Sequence, residues 1–389
     1  MRVPLPVRRS LHAVTRVLRS WHEVNVLWSL WLSACSMTAD TDVVDTAPAD
    51  TTPLALDPRE RGPYEVGFRK ETFDITTPDG RPRTITLHVW YPTEAIDGGE
   101  PEYTSRFPPL LDGIVADVPV AASPWSDGRF PVVVHSHGHQ ATGGSAQPIA
   151  WWLVRHGWVV AAPDHAPDLF ATIVNGEEST PPEHYADRPN DLTATLDHLE
   201  QLPAGDPLSG KLRTEGVLAT GHSRGTYTMW SIAGATYAPD AGADHCPGCA
   251  PETLALFDAG FRDPRVAAIA PLAGMIQRDM WGDTGEASVD IPVLSMLGSA
   301  DGSGHAEQFE SFSGVEVTWV ELPGACHESF ASGLPCSGLD TETGFTWMGT
   351  YLLAFGRRHV LGDVDPDVLG ITDGAVVLDP AITVATKAP

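Results

Sequence analysis

Short apolar runs alternate along this chain with segments whose hydrophobic residues recur every three or four positions. The runs 130–134, 158–162 and 216–220 have the length and composition of buried strands. Segments 146–156 and 191–202 have the spacing that gives a helix one apolar face. Because strands that alternate with helices form parallel sheets, the pattern predicts an α/β domain with a mostly parallel central sheet and helices on both faces.

The pattern changes at both ends of this region. Residues 64–91 predict two or three strands joined by the turn Pro78-Asp79-Gly80, so the sheet is expected to start with antiparallel strands. The tail 363–389 is rich in Asp, Val and Pro and predicts either an edge strand or a surface segment. The chain shows no internal repeat. Residues 63–389 are therefore interpreted as one α/β domain of ordinary size.

A Gly-x-Ser-x-Gly sequence carries the first chemical signal. Gly221-His222-Ser223-Arg224-Gly225 directly follows the apolar run 216–220, and the helical pattern 226–233 comes after it. This sequence between a strand and a helix is typical of a nucleophile elbow, a tight turn that exposes a reactive serine at the edge of the sheet. A glycine-rich structural turn is the alternative, and the strand–helix context favours the elbow. Ser223 is thus a candidate nucleophile.

A serine becomes a strong nucleophile only beside a base, and after an elbow the acid and the base follow in chain order. The apolar run 291–297 ends in a loop of small residues that contains Asp301, and the alternating run 315–322 is followed by His327. Both residues come where a strand has just ended, so both are expected at the same edge of the sheet as Ser223. In these roles the histidine takes the serine proton and the aspartate orients the imidazole.

Other carboxylates and another imidazole compete for these roles. Asp258 and Asp263 precede the strand 265–270 and therefore lie at its wrong end. His305 is in the same loop as Asp301, too close in the chain to come from the next strand. The chain order therefore favours the first assignment.

Acyl transfer also needs hydrogen-bond donors for the negative oxygen of the tetrahedral intermediate. The backbone N–H of Arg224, the residue after the nucleophile, is the usual first donor. The apolar strand 130–134 leads into Gly138, which lets the chain turn so that the N–H of His139 becomes the second donor. The sequence therefore predicts an oxyanion hole formed by His139 and Arg224.

Alternate histidines in the same segment also suggest a metal site, because residues two apart in a strand share one face. They are His135, His137 and His139. A metallohydrolase motif of this type needs an aspartate where His139 or Gln140 stands. The sequence therefore predicts neither a metal nor an organic cofactor.

Together these segments resemble bacterial serine α/β-hydrolases related to platelet-activating-factor acetylhydrolase, a group often labelled "predicted dienelactone hydrolase". The sequence Gly-His-Ser-Arg-Gly is also similar to chlorophyllases, and the layout is similar to bacterial cutinase-like polyester hydrolases. The resemblance covers most of residues 63–360, and it is carried by segments 130–139, 158–165, 188–192 and 221–225 and by the loops of Asp301 and His327. It implies the α/β-hydrolase fold, the triad and the oxyanion hole given above. True dienelactone hydrolases have a cysteine nucleophile, so that label does not give the activity of this chain.

The N-terminal region indicates export. Five arginines precede the apolar segment 24–32, which is too short to span a bilayer and is followed by Leu32-Ser33-Ala34-Cys35. This order is typical of a bacterial lipoprotein signal peptide, residues 1–34, with lipidation of Cys35 and a periplasmic, outer-membrane or secreted destination. Residues 35–62 then predict a flexible linker. An amphipathic N-terminal helix of the mature protein is the alternative.

Four cysteines remain after Cys35: Cys246, Cys249, Cys326 and Cys336. In an oxidising compartment they are expected to form disulfides, and of the three pairings Cys246–Cys249 with Cys326–Cys336 is the local one. The second bridge would hold the loop that carries the candidate base. A zinc site at the Cys-x-x-Cys sequence is the alternative, although the second pair lacks the matching spacing.

The net charge of the chain and two of its loops indicate what the protein binds. The formal net charge of −27 disfavours nucleic acid and anionic membrane surfaces, so membrane contact is expected only through a lipid on Cys35. Met275 and Trp281 follow a strand that ends at Gly274 and are expected to line the acyl pocket. Segment 239–264 is a candidate for a small cap over that pocket.

The expected function is therefore hydrolysis of a small-molecule or polymeric ester by a serine enzyme. No segment is long enough to suggest the large lid of an interfacial lipase, so short-chain, acetyl or polyester-type esters fit better than long triglycerides. A peptidase or amidase with the same triad is one alternative. A lipoprotein that uses the fold to bind a ligand without catalysis is the other.

Overall fold

The structure is a computed structural model that describes residues 56–96, 114–116, 118–169, 171–172, 180–302, 305–331 and 336–389. The chain divides into two units, 1–50 and 51–389, and the first lies wholly outside the described residues. The predicted signal peptide 1–34 and the predicted lipidation site Cys35 therefore lie outside them as well.

Ten strands of the described residues form one mixed sheet, in the order β10-β9-β8-β7-β6-β4-β5-β2-β1-β3. Their bounds are β1 Glu65–Thr76, β2 Pro82–Thr93, β3 Ile114–Ala116, β4 Phe130–Ser136, β5 Val159–Pro163, β6 Leu212–His222, β7 Val266–Leu272, β8 Val293–Gly298, β9 Val317–Leu322 and β10 Thr383–Lys387. The block from β4 to β9 is parallel throughout. β1 and β2 are antiparallel to each other, and β2 is antiparallel to β5. The predicted α/β class and the antiparallel start of the sheet are confirmed, and the C-terminal tail contributes β10 as an antiparallel edge strand.

Helices pack on the sheet through two separate apolar clusters. Their bounds are α1 Gln147–Arg155, α2 His184–Glu200, α3 Gly225–Ala233, α4 Ala241–His245, α5 Pro251–Ala259, α6 Arg278–Trp281, α7 His305–Ser311, α8 Thr341–Leu361 and α9 Pro366–Asp373. Val132 and Val134 of β4 belong to one cluster, with residues of α2 and α3. Val133, between them, belongs to the other, with residues of α1 and α8. Because successive strand residues point to opposite faces, the sheet is covered on both sides.

The described end of the predicted linker 35–62 lies against the domain. The carbonyl of Pro58 accepts a hydrogen bond from the Trp152 indole at 3.2 Å. The Arg59 guanidinium is 3.0 Å from the Asp367 carboxylate. The packed part of the chain thus includes residues 56–62, upstream of the predicted domain start at residue 63.

Both expected disulfides are present, Cys246–Cys249 and Cys326–Cys336, so the disulfide prediction is confirmed and the zinc alternative for Cys-x-x-Cys is wrong. Disulfides persist in oxidising compartments, and they indicate an exported environment for this domain. In the part of the chain that the structure describes, no helix is long and apolar enough to cross a membrane.

Candidate active site

Ser223 lies in the turn between β6 and α3 and has a left-handed backbone conformation, with φ of 55°. Non-glycine residues rarely adopt this region, and where they do they cluster at functional sites. The flanking glycines make the turn sterically feasible. A Cβ at Gly221 would lie 2.3 Å from the carbonyl oxygen of Gly225, and a Cβ at Gly225 would lie 2.1 Å from that of Ser136. The local sequence therefore permits the strained position at the serine.

The structure brings Ser223, His327 and Asp301 together through hydrogen bonds. Asp301 follows β8, and His327 begins the short 3-10 turn His327–Phe330 after β9. His327 Nδ1 is 3.0 and 3.1 Å from the two oxygens of Asp301, and Nε2 is 2.8 Å from Ser223 Oγ. Because a carboxylate only accepts, the imidazole proton is on Nδ1 and Nε2 is left as an acceptor for the serine hydroxyl.

The electrostatics of this triad favour a basic imidazole. The pKa of His327 is raised above its usual value of 6.5, chiefly by the hydrogen bond to Asp301 and then by the negative charges of Asp301 and Glu328. Burial works in the opposite direction and is outweighed. The histidine side chain is 42% exposed, whereas Asp301 is 14% exposed. The base is thus open to the cleft and its orienting carboxylate is shielded.

Two of the three competing residues, Asp263 and His305, have other partners. The Asp263 carboxylate binds the Arg265 guanidinium at 2.7 Å, ahead of β7. Asp258 belongs to α5, in the segment before β7. His305 lines the same cleft as Ser223, but its Nδ1 is 3.5 Å from a carboxylate oxygen of Glu321.

His222, which the sequence reasoning did not single out, fixes the loop of the candidate base. It is buried, and its Nε2 donates to the backbone carbonyl of His327 at 2.8 Å. Burial lowers the pKa of His222 to about 4, so its ring is neutral near pH 7. The Cys326–Cys336 disulfide also holds this loop, because it joins the residue just before His327 to one nine residues after it.

The loop after β4 lies against the serine. A Cβ on Gly138 would lie 3.3 Å from the Cβ of Ser223 and 3.1 Å from Nδ1 of His222, so only glycine fits without displacement. His139 and Arg224 both line the cleft with Ser223. Arg224 occupies the N-cap position of α3, where backbone N–H groups lack a helical partner. Both expected oxyanion residues thus border the same cleft as the serine.

A fully buried ion pair, Arg188 with Asp168, binds the loop after β4. Arg188 donates to the carbonyl of His137 at 2.6 Å and to a carboxylate oxygen of Asp168 at 2.6 Å. The other Asp168 oxygen accepts from the backbone N–H of Gln140 at 3.1 Å and from His139 Nδ1 at 2.7 Å. The Arg188 charge holds the pKa of Asp168 well below its usual range. Arg188 also donates to the carbonyl of Gly138 at 3.3 Å, so one carboxylate and one guanidinium fix residues 137–140 at four points.

A second Ser–His–Asp chain lies beneath the same loop. His165 joins Ser136 Oγ through Nε2 and Asp191 through Nδ1, both at 2.9 Å, and all three residues are buried. Arg83 binds Asp191 at 2.8 Å. Burial raises the pKa of Asp191 to about 6. Because water and substrate do not reach this chain, its contacts are structural.

The alternate histidines that suggested a metal site each have a separate protein partner. His135 Nδ1 is 2.9 Å from the Thr220 hydroxyl, and His137 Nε2 accepts from the backbone N–H of His165 at 2.9 Å. His139 binds Asp168 as described above. Within the described ranges, no group of three or more His, Cys, Asp or Glu side chains is arranged to hold a metal ion.

The cleft at Ser223 has a volume of about 450 Å³. Met275 lines it and is 39% exposed, as the sequence led us to expect. The expectation for Trp281 was wrong. Its indole is 2% exposed and packs on Tyr227 and Tyr237, with ring centroids 5.5 and 4.3 Å away. The short helix α6 turns this residue into the core, and Ile276 and Gln277 line the cleft near Met275.

A second cavity of about 850 Å³ adjoins the first and shares His139, Tyr185 and Arg224 with it. His245 and Pro247 line its far side. These two residues belong to the segment 239–264 that the sequence identified as a candidate cap. Part of that segment, held by Cys246–Cys249, therefore borders the space next to the serine.

No protein-family model matches this chain, and no curated protein sequence matches it significantly.

Proposed function

We propose that this protein is a serine carboxylic ester hydrolase of the α/β-hydrolase type, acting through an acyl-enzyme at Ser223. The observation that carries the proposal is the 2.8 Å contact between Ser223 Oγ and His327 Nε2, made from a strained turn and backed by Asp301 on the opposite nitrogen. A half-buried serine with an oriented base is the arrangement that nucleophilic acyl transfer requires.

In the proposed reaction Ser223 Oγ attacks the ester carbonyl while its proton moves to His327 Nε2. Asp301 stabilises the resulting imidazolium. The carbonyl oxygen becomes an oxyanion that accepts hydrogen bonds from the backbone N–H groups of His139 and Arg224. The alcohol leaves with the proton from His327, and the acyl group remains on the serine. Water then repeats the sequence, giving the carboxylic acid and the free serine.

The resemblance to bacterial hydrolases related to platelet-activating-factor acetylhydrolase supports the same proposal. The order of the parts agrees with it: the nucleophile follows β6, the acid follows β8 and the base follows β9. We also propose that the protein is exported and attached to a membrane by a lipid. The two disulfides support export, and cleavage before Cys35 with lipidation there would tether the domain to a membrane.

The cleft favours small acyl groups. A volume of about 450 Å³ lies in the lower part of the range for ligand pockets, and Met275 and Ile276 give it an apolar wall. Short-chain or acetyl esters, or the accessible ends of a polyester, are therefore the proposed substrates. Equal kcat/KM values on 4-nitrophenyl esters with C4 and C16 acyl chains would contradict this preference.

The test is hydrolysis of 4-nitrophenyl butanoate by the wild type and by Ser223→Ala, with and without a chelator. Ser209→Ala is the matched control, because Ser209 binds a backbone carbonyl of the loop before β6. The proposal expects loss of turnover in Ser223→Ala alone. Turnover that survives this substitution would refute the proposal. Turnover of amides but not esters would favour a peptidase, and none at all would favour a ligand-binding protein.

A further inference from the structure

The larger cavity beside the proposed active site bears on which ester the enzyme takes, and the inference drawn from it rests on the proposed function. The two cavities adjoin each other, because His139, Tyr185 and Arg224 line both of them. An ester bound at Ser223 therefore extends into the larger cavity if either of its parts is more than a short chain. The side chains that line both cavities, here called the shared wall, would then contact this part of the ester.

Arg224 is the cationic side chain of this wall. Among the described residues that line the two cavities, it is the one arginine or lysine. Its side chain is 25% exposed, so the guanidinium is partly withdrawn from water. A charge in such a position interacts more strongly with a ligand than one in bulk solvent does.

The hydrogen bond that fixes Arg224 leaves its charge intact. Arg224 Nη1 is 2.9 Å from Nε2 of His184. His184 donates its Nδ1–H to the carbonyl of Pro181 at 2.7 Å, so Nε2 is the acceptor. Burial lowers the pKa of His184 to about 3, and the ring is neutral. A neutral acceptor orients the guanidinium without compensating it.

The nearby carboxylate does not neutralise Arg224 either. Asp168 is 3.7 Å from Arg224 Nη1 but 2.6 Å from Nη2 of Arg188, which is fully buried. Arg188 is thus the closer partner of Asp168, and Arg224 has no carboxylate within hydrogen-bond distance among the described residues. Asp244 also lines the larger cavity, but it is exposed to solvent.

We propose that the substrate of this enzyme carries a carboxylate on its acid or its alcohol part and that the Arg224 side chain binds this carboxylate. A guanidinium has five N–H donors and matches a carboxylate in a planar two-bond geometry. Among the described residues, His184 accepts a hydrogen bond from one of the N–H donors of Arg224. The others can receive the ligand.

Two matched pairs of esters test the proposal with the full chain. Mono-4-nitrophenyl adipate against 4-nitrophenyl hexanoate places a carboxylate on the acid part. 4-(Butanoyloxy)benzoate against its methyl ester places it on the alcohol part. The wild type is expected to have the higher kcat/KM on the anionic member of one pair, and salt is expected to reduce that preference.

Substitution of the arginine is expected to abolish the preference. In Arg224→Met the ratio of kcat/KM values, anionic over neutral, is expected to fall by about tenfold or more, because hydrogen bonds to charged groups have that effect. Arg224→Lys is expected to keep part of the ratio. Arg213→Met is the control, because this substitution removes the same charge from the molecule. Arg213 lies at the opposite end of β6 and is paired with Asp127.

The outcomes separate the two proposals. An unchanged ratio in Arg224→Met, or a wild type that prefers the neutral members of both pairs, overturns the carboxylate site and leaves ester hydrolysis standing. An equal fall in Arg213→Met means that long-range charge sets the ratio and also overturns the site. Hydrolysis of the neutral esters that persists in Ser223→Ala overturns the proposed function itself.

Discussion

Ser223, the proposed nucleophile, has an unfavourable backbone conformation. A left-handed position costs a residue with a Cβ roughly 1–3 kcal/mol, and the surrounding structure must hold it. Here the backbone N–H of the serine binds the carbonyl of Leu272 at 2.9 Å, and its carbonyl accepts from Thr226 at 2.9 Å. The end of β7 and the start of α3 therefore hold the serine in this conformation.

Two substitutions at this residue isolate the strain. Ser223→Gly and Ser223→Ala both remove the hydroxyl, but only glycine adopts the left-handed region without penalty. We expect Ser223→Gly to be more stable than Ser223→Ala by about 1 kcal/mol. Denaturant unfolding measures the difference. Equal unfolding midpoints would mean that the turn is not strained.

In the proposed mechanism, the basicity of His327 sets the acid limb of the pH profile. A raised pKa means that the imidazole keeps its proton to higher pH, so the neutral base forms only above the usual value of 6.5. We expect kcat/KM on a neutral ester to rise with pH through a midpoint above 6.5.

Removing the charge of Asp301 tests the cause of that midpoint. In Asp301→Asn the midpoint is expected to move to lower pH, because the main interaction that raises the pKa is gone. The plateau rate is expected to fall by roughly 10³- to 10⁴-fold, because the imidazole loses its orienting acceptor. A midpoint that stays in place would show that another group titrates.

At the scale of elements, the loop after β4 has little freedom to move. Gly138 packs on Ser223 and His222, and the Asp168–Arg188 pair binds the residues on either side of it. A methyl group at position 138 would require a shift of a few tenths of an ångström. Small displacements of catalytic groups are sufficient to reduce rates strongly.

Gly138→Ala is therefore expected to lower kcat by about tenfold or more, with a small change in the unfolding midpoint. Gly205→Ala is the matched control, because a Cβ at Gly205 meets no atom within 4 Å. Steady-state kinetics and thermal unfolding of both variants check the expectation. Equal kinetics for the two would mean that the position of this loop does not affect the reaction.

The two disulfides are expected to differ in their effect on activity. Cys326–Cys336 closes the longer loop, with a sequence separation of 10 against 3, and begins next to His327. Chain entropy gives it about 3 kcal/mol, against about 2 kcal/mol for the shorter bridge. We expect the double serine variant at 326 and 336 to lose more kcat than the one at 246 and 249. Larger loss in the second variant would argue against a role for the first bridge at the base.

Local sequence predicted the positions of Ser223, Asp301 and His327 better than the residues that line the cleft. The elbow depends on five consecutive residues, and Asp301 and His327 each follow a strand that its own apolar pattern reveals. The prediction for Trp281 was wrong because this side chain lies in α6, a helix of four residues. So short a helix is stabilised by tertiary packing, and the local sequence does not show which way its side chains point. The buried Ser136–His165–Asp191 chain was missed because it joins residues that are far apart in sequence.

At the scale of the whole molecule, the parallel block of the sheet explains why the site is where it is. The chain after β4, β6, β8 and β9 emerges at one end of the parallel strands, so His139, Ser223, Asp301 and His327, the residues of the proposed reaction, meet there. The order of the apolar runs was sufficient to predict this edge. The larger cavity was not predictable, because it forms between α4 and residues 180–185, which only the tertiary fold brings together.

The central claim is that Ser223 is a nucleophile activated by His327, and covalent labelling tests it most directly. The full chain is treated with a fluorophosphonate, digested and analysed by mass spectrometry while esterase activity is followed. We predict one adduct per molecule, on the peptide that contains Ser223, with activity lost in proportion and no adduct in Ser223→Ala. An adduct on another residue, or complete labelling with activity retained, would contradict the account.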